Sequence, residues 1–318
     1  MSERKYRSLF ENVPVGLYTT TPDGKIVNFN PQSSKILGYS EEELKNKNAI
    51  DLYLDREERE IWLKKILEKG ALERETRFVR KDGRIVWIKD TARVKRTSDG
   101  EIYIEGSIQD ITELKTLEKS LRDSLEKMKK LFDSTVFALS TTVEVRDPYT
   151  AGHQRRVTKL AIKIAKELGL NESIELIRIA GLLHDIGKIA IPSDILTKPT
   201  KLTQIEYALV KEDPVVGYEI LRKVEFPWPV ARVVLQHHER IDGSGYPNGL
   251  KGNEILLEAR ILAVANMVEA ISSHRPYRPA LGTNVALEEI QRNNGILYDF
   301  DIVEAYLKVF HFGFSFAD

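Results

Sequence analysis

The spacing of hydrophobic positions changes twice along the 318-residue chain. From Phe10 to about Thr112 the pattern is mostly strand and turn. Asp23-Gly24, Asp82-Gly83 and Asp99-Gly100 each sit between segments rich in Val, Ile, Phe, Tyr or Trp, the arrangement of a tight hairpin. Around the second turn, ETRFVR and RIVWIKDTARV place apolar residues at nearly alternate positions, as strands with one face on a core do. Between the first and second turns lie short helical stretches. One is SEEELKN, where Ser40 caps and Glu43 reaches back to complete a capping box. The prediction is an α+β unit with an antiparallel sheet and flanking helices.

From Glu113 to about Ser140 there is neither Gly nor Pro, and Leu, Lys and Glu dominate, so helix is favoured throughout. Leu114, Leu121 and Met128 form one heptad series and Leu125, Phe132 and Leu139 another. Interleaved, they make a narrow coiled-coil seam, interrupted at Glu118 and Thr135. A parallel dimeric helix is expected here, with an amphipathic helix lying on its own domain as the alternative. Beyond Ser140 the period is helical. Val157, Leu160, Ala161, Ile164 and Leu168 share one face, Asn171 is placed to cap the next helix, and His153 is predicted to point to the same buried side as Val157. Thr203 and Glu206 make a second capping box, and further apolar helices run around Val230 to Leu235 and Ile261 to Ile271. This pattern predicts an all-α bundle that sends polar groups inward.

Composition narrows the chemistry. Lys+Arg and Asp+Glu both total 48, so the chain lacks the basic excess that a nucleic-acid polymer would require. There is no Cys, which excludes disulfides, a Cys nucleophile, thiolate zinc sites and iron–sulfur clusters, and suits a reducing compartment. Any metal must be held by His and carboxylate. The opening MSERKYRSLF is too polar for a signal peptide, and no apolar run approaches the roughly 20 residues that span a bilayer, so a cytoplasmic protein without a membrane partner is expected.

The informative group is His153, the pair His184-Asp185 and the pair His237-His238, which use four of the six histidines. A lone buried His is ordinarily a hydrogen-bonded core residue, and His274 and His311 are read that way. Two adjacent pairs on separate apolar helices differ, because a buried Asp beside His is unfavourable without a compensating cation or partner. Imidazole and carboxylate suit Fe, Mn, Zn and similar divalent ions. A carboxylate bridging two ions about 3.5–4 Å apart is the arrangement of two-metal hydrolases, and Asp185 is the candidate bridge. Such a pair acidifies a shared water for attack at phosphorus, which predicts a phosphate-ester or phosphodiester hydrolase.

The segments FENVPVGLYTTTPDGKIVNFNPQSSKILGYSEEEL, RKDGRIVWI and GSIQDITELK resemble a PAS domain over nearly its full length. In the resemblance, Asp110 to Thr112 is where signal passes into the following helix. Nothing in the segment names a PAS ligand: the first His of the chain is His153, leaving none to ligate haem, and a flavin–cysteinyl adduct needs a Cys. Further on, LLHDIGKIAIPSDILTKPTKLT, LQHHERIDGSGYPNGLKGNEI and ARILAVANMVEAISSHRPYRPALG are similar to the HD-GYP family, a branch of the HD-domain metal hydrolases, over about Thr142 to Tyr306. That resemblance implies hydrolysis of cyclic di-GMP to pGpG or GMP in bacterial signal transduction. It implies His153, His184, Asp185, His237 and His238 as metal ligands, Asp185 and Lys188 as catalytic groups, and Lys188, Arg275 and Arg278 as phosphate contacts. Gly245, Tyr246 and Pro247 form the naming loop, for substrate contact or partner docking. Physical reading agrees: Lys188 shares a face with His184 if the helix continues, Arg275 and Arg278 are spaced to clamp a phosphate or a guanine edge, and the glycines of DGSGYPNG admit close approach while Tyr246 stacks on a base.

Three positions depart from the family. Asp213 stands where it has His, Asn266 where it has Asp, and Tyr149 where some members place a Glu for a third metal. At most two ions, Fe or Mn, are therefore expected, with Asp213 still able to offer oxygen to a hard cation and Asn266 removing negative charge. The expected organisation is a PAS sensor over 1–112, a coiled-coil helical linker over 113–140 and an HD-GYP helical bundle over 141–318, dimeric through PAS and linker. The departures motivate a rival expectation, a signalling adaptor that binds cyclic di-GMP or a partner protein without turnover. A third is an HD hydrolase acting on another nucleotide.

Overall fold

In a computed structural model of the chain, residues 3–147, 152–273 and 280–316 are described. They fall into two compact units, Met1–Lys127 and Met128–Asp318. The first contains α1 (Glu3–Asn12), β1 (Gly16–Thr20), β2 (Ile26–Phe29), α2 (Pro31–Leu37), α3 (Glu41–Lys45), α4 (Arg56–Lys69), β3 (Ala71–Val79), β4 (Ile85–Arg96) and β5 (Ile102–Asp110). The strands form one antiparallel sheet in the order β2-β1-β5-β4-β3.

All three Asp-Gly dipeptides join neighbouring strands. Gly24, Gly83 and Gly100 have φ of 94°, 80° and 83°, a region where a Cβ is strained. Between sheet and helices lies a core that includes Leu37, Leu44, Phe78, Ile88 and Ile108, and Trp62 and Ile66 of α4 pack beside Ile104. The Ser40–Glu43 capping box is present at α3. At the sheet's end, Asp110 Oδ1 accepts from Thr112 N at 2.9 Å and Thr112 Oγ1 accepts from Trp87 N at 2.9 Å. These bonds fix the first turn of α5 (Thr112–Arg146) to β4 and β5.

The second unit is helical, with no strand among the described residues. After the C-terminal part of α5 come α6 (His153–Glu167), α7 (Ile174–Leu183), α8 (Ser193–Leu196), α9 (Gln204–Val210), α10 (Asp213–Leu221), α11 (Val230–Gln236), α12 (Leu257–Ser272), α13 (Thr283–Arg292) and α14 (Phe300–His311). α6 lies at the centre, packed on α7, α12 and α14. Its buried face is the one read from the sequence: Val157, Leu160, Ala161 and Ile164 are wholly buried, and His153 shares that side. The Thr203–Glu206 capping box opens α9.

Two local expectations are corrected. Asn171 does not cap a helix but starts a short 3₁₀ turn over Asn171–Ser173, and α7 begins beyond it without a side-chain cap. His311 is exposed near the end of α14 rather than in the core, with its Nδ1 2.8 Å from the Leu307 carbonyl. On α5, Leu114, Leu121, Leu125 and Met128 are exposed, whereas Val136 and Val143 are buried. No helix among the described residues is long and apolar enough to cross a membrane.

Ile164→Ala, which empties space at the centre of the bundle, is expected to destabilise the helical unit by about 2–5 kcal/mol in urea unfolding. Ile205→Ala, at a position 78% exposed, is expected to change it by less than about 0.5 kcal/mol.

Candidate metal centre

The inward polar groups are placed by helix ends. α7 stops at Leu183, so His184 and Asp185 stand just past its last turn, and His237 and His238 stand in the same way past α11. The last carbonyls of a helix have no intrahelical donor. The His184 Nδ1 takes one of them, Gly181 O at 2.8 Å, and the His237 Nδ1 takes Val234 O at 2.6 Å. The same device thus orients both rings, three residues back in each case.

The helix of His184 does not continue as anticipated for Lys188. A 3₁₀ turn over Ile186–Ala190 follows, and this turn brings the Lys188 Nζ to 2.8 Å from Asp185 Oδ2. Within it, a Cβ on Gly187 would lie 1.9 Å from Asp213 O and 2.7 Å from Gly217 N. Only a bare backbone lets the start of α10 press against the turn, which carries Asp213 into the same cluster as His237 and His238.

The rings of His153, His184, His237 and His238 follow one another with centroid separations of 5.3, 5.1 and 4.0 Å. His153, His184, His237, Asp185 and Asp213 are buried, and His238 is half-buried. A carbonyl only accepts, so the Nδ1 of His184 and of His237 carries the proton and the Nε2 carries the lone pair. Neither Nε2 has a hydrogen-bond partner, and neither do the two oxygens of Asp213. Asp185 Oδ2 is 3.7 Å from His153 Nε2, and Asp185 Oδ1 is 3.6 Å from His184 Nε2, both beyond hydrogen-bond range. Candidate ligand atoms form two sets, His153 with His184 and Asp185, and Asp213 with His237 and His238, each within 4.8 Å. Orphaned acceptors facing one another in a dry interior are unfavourable by themselves, and a divalent cation satisfies them: the residues present fit one.

The electrostatics agree. Burial, and then the neighbouring Asp185, pushes the Asp213 carboxyl well above the usual carboxylate range. Burial opposes charge on Asp185 too, but His184, Lys188 and His153 hold it well below that range. Burial, and then His184, pushes His237 down to about 3. Burial and His237 push His238 well down. Both stay neutral at neutral pH, the state a metal requires.

Two carboxylates escaped the sequence reading. Glu269, on the inner side of α12, accepts from His153 Nδ1 and from Arg156 Nε at 2.8 Å and Ser273 Oγ at 2.7 Å. Despite its burial, those bonds, led by His153, hold its carboxyl at about 2. Its one sequence signal is its place three residues after Asn266. Glu239 accepts from Asn248 N at 2.7 Å and Leu250 N at 3.0 Å and so pins the loop that holds Gly245, Tyr246 and Pro247. Gly245 is obligatory there, since a Cβ would lie 2.4 Å from Arg240 N. The loop, with a cis Tyr246–Pro247 bond, stacks Tyr246 on His238 at 4.7 Å. A cleft of about 370 Å³ is lined by His153, Asp185, Lys188, Asp213, His238, Tyr246 and Asn266, among others. Tyr149, His274, Arg275 and Arg278 lie outside the described residues.

These shifts set the acid behaviour of the chelator-treated protein. His237 and His238 are neutral when folded and gain protons only on unfolding below about 6.5, so the stability they confer is whole above that pH and is lost as pH falls below it. Asp213, whose folded value is raised, works in the opposite sense above 3.8 and offsets one of them. With two imidazoles set against one carboxyl, the urea midpoint is expected to fall between pH 6 and 5; an unchanged midpoint contradicts it.

The HD domain family matches residues 138–302, and the PAS domain family matches residues 14–113. The chain is 41% identical to the cyclic di-GMP phosphodiesterase response regulator RpfG of Xanthomonas campestris pv. campestris, over 61% of this chain and 52% of that protein. It is 39% identical to a cyclic di-GMP phosphodiesterase of Thermotoga maritima, over 61% of this chain and 53% of that protein. It is also 39% identical to the 3'3'-cGAMP-specific phosphodiesterase 3 of Vibrio cholerae serotype O1, over 50% of this chain and 35% of that protein. The chain thus spans about half the length of the first two and about a third of the last. With its buried His-Asp pair at the centre of the helical unit and its sheet-forming N-terminal unit, the chain belongs to the HD domain family and carries a PAS domain ahead of the HD domain.

Proposed function

We propose that the helical unit hydrolyses the phosphodiester bonds of cyclic di-GMP under control of the PAS domain. The observation that carries this reading is the unpartnered ligand atoms of His184, His237 and Asp213, gathered with His153, Asp185 and His238, which together with Asp213 and Lys188 line a cleft. His153, His184, Asp185, Asp213, His237 and His238 would hold a divalent ion, which would supply Lewis acidity toward phosphoryl oxygens and acidify water. For a set that mixes imidazole with carboxylate we favour iron or manganese, and its division in two favours no more than two ions. Asp185 faces both His153 and His184 and is the group suited to bridge.

Lys188 offers a charged donor to a non-bridging phosphate oxygen. Tyr246 lines the cleft with one ring contact on His238 and is suited to stack on a guanine, with Gly245 and Pro247 shaping its loop. Arg275 and Arg278 are proposed for the second phosphate. Glu269 holds the proton at His153 Nδ1 and so keeps Nε2 available as a ligand. Relatives acting on cyclic di-GMP and on 3'3'-cGAMP both support a cyclic dinucleotide, and cyclic di-GMP is the one we favour.

The proposed organisation is a PAS sensor over 1–112, a linker over 113–140 and the HD-GYP bundle over 141–318, with the exposed α5 seam pairing two chains in parallel. A change in the PAS domain would shift the register of that pair. A second reading is favoured by Asn266, which lines the cleft with a weakly ligating amide: an adaptor that binds cyclic di-GMP or a partner protein without cleaving.

Metal content measured beside release of pGpG or GMP, with Mn(II) or Fe(II) supplied, separates the two. For the enzyme, Asp185→Asn is expected to lower turnover by more than about 100-fold, and Glu269→Gln by about 10–100-fold through metal affinity. Asp213→His combined with Asn266→Asp is expected to raise metal content and rate together. Binding without product, in the wild type and in this double variant alike, supports the adaptor, and a metal-free, inactive double variant overturns the ligand assignment. For the dimer, Leu121→Asp with Leu125→Asp is expected to halve the mass seen in sedimentation; a monomeric wild type rejects the pairing.

A further inference from the structure

The PAS unit encloses a cavity of about 40 Å³ between its sheet and α2–α4. One buried water needs roughly 10–15 Å³, so the space takes a molecule of a few heavy atoms. Its walls are largely apolar, formed by Ile26, Leu37, Leu44, Leu52, Phe78 and Ile108. Three buried polar side chains also line it, and all three lack partners. Arg59 is 4% exposed, and neither terminal guanidinium nitrogen has a hydrogen-bond partner. Trp62 Nε1 and Thr20 Oγ1 are in the same condition.

Charge around the cavity does not balance. Asp90, 1% exposed, also lines it, but its carboxylate accepts from Tyr18 Oη at 2.7 Å and from Arg74 Nε at 3.4 Å. Arg74 further bonds Tyr53 Oη and Glu58 O. Glu58 itself accepts from Thr76. Arg59 is left over: its guanidinium lies 4.4 Å over the Trp62 ring, an aromatic contact that neutralises no charge. Burial draws its pKa down from the usual arginine value, yet a guanidinium stays charged in any folded protein. Arg and Trp can only donate, and the Thr hydroxyl can donate, so a guest that accepts through more than one atom and carries negative charge would satisfy all three.

We infer that the PAS cavity is a binding site for a small monocarboxylate, its two oxygens facing Arg59 with Trp62 and Thr20 beside them, and an apolar tail of about one to three carbons against the Ile and Leu side chains. The planar guanidinium fork matches a carboxylate, and the walls offer a tetrahedral oxyanion too few further donors. The guanidinium is already out of water before the ligand arrives, so the ion pair forms against a lower desolvation penalty than at an exposed site.

Calorimetric titration of the full chain with acetate, propionate and butyrate tests this, with propionamide, nitrate and chloride at matched ionic strength as controls. Saturable binding of at least one acid, absent for the controls, is expected. Arg59→Met keeps the side-chain bulk over Trp62 and is expected to weaken binding about tenfold or more, without lowering the melting temperature of the ligand-free full chain. Trp62→Phe keeps the ring, deletes one donor, and is expected to give a smaller loss, which serves if the first variant does not fold. The proposal is overturned if no acid binds the wild type at concentrations up to about 10 mM, where even a millimolar Kd is seen. It is equally overturned if nitrate or chloride binds as well as the acids, or if both variants bind like the wild type.

Discussion

Three imidazoles and two carboxylates withdrawn from water at the heart of an apolar bundle constrain everything around them, because each exposed lone pair or proton in a dry interior must find a counterpart. The bundle meets half of that requirement with its own helix ends. The last turns of α7 and α11 have carbonyls to spare, and His184 and His237 consume one each at Nδ1. Consuming that nitrogen turns the other inward, so the demand is moved from the helix ends to the centre. His153 is oriented by a different route, through Glu269 on α12. His184 and His237 thus present unpartnered acceptors to one region, and a divalent cation would answer them.

Local features of this fold were legible in the sequence, and paired features were not. Each Asp-Gly turn, each capping box and the inner face of α6 is decided by residues within a few positions of one another, and all appear where expected. The five ligand candidates were found because their types are rare, not because their meeting could be derived. Glu269 bonds a residue 116 positions away, and nothing near it in the chain marks it as anything but an acidic helix residue. Glu239 reads as the end of a histidine pair, and its grip on Asn248 and Leu250 depends on a loop that doubles back. Arg59, in REEREIWLKK, has the look of a solvated helix face; only the closing of α4 over the sheet puts it inside. For Lys188 the continuing helix was the wrong premise, since a tighter turn brings the ammonium to Asp185.

The two halves handle buried charge differently. In the PAS unit, Asp90 is answered by protein groups, Tyr18 and Arg74, and one guanidinium remains over. In the helical unit, Lys188 is set against Asp185, and the carboxylate of Asp213 remains over. One excess is positive and next to an apolar hollow; the other is a carboxyl that burial resists charging, next to neutral imidazoles. Each marks the kind of guest its surroundings would welcome.

The contact between Gly187 and the opening of α10 has a consequence for how the candidate ligands are spaced. Because backbone meets backbone there, with no side chain to flex, the distance separating the Asp185 turn from Asp213 is set by two main chains rather than by adjustable rotamers. The spacing between the two candidate ligand sets, one carrying Asp185 and the other Asp213, would therefore be kept by the scaffold itself, whichever rotamers the ligand side chains adopt.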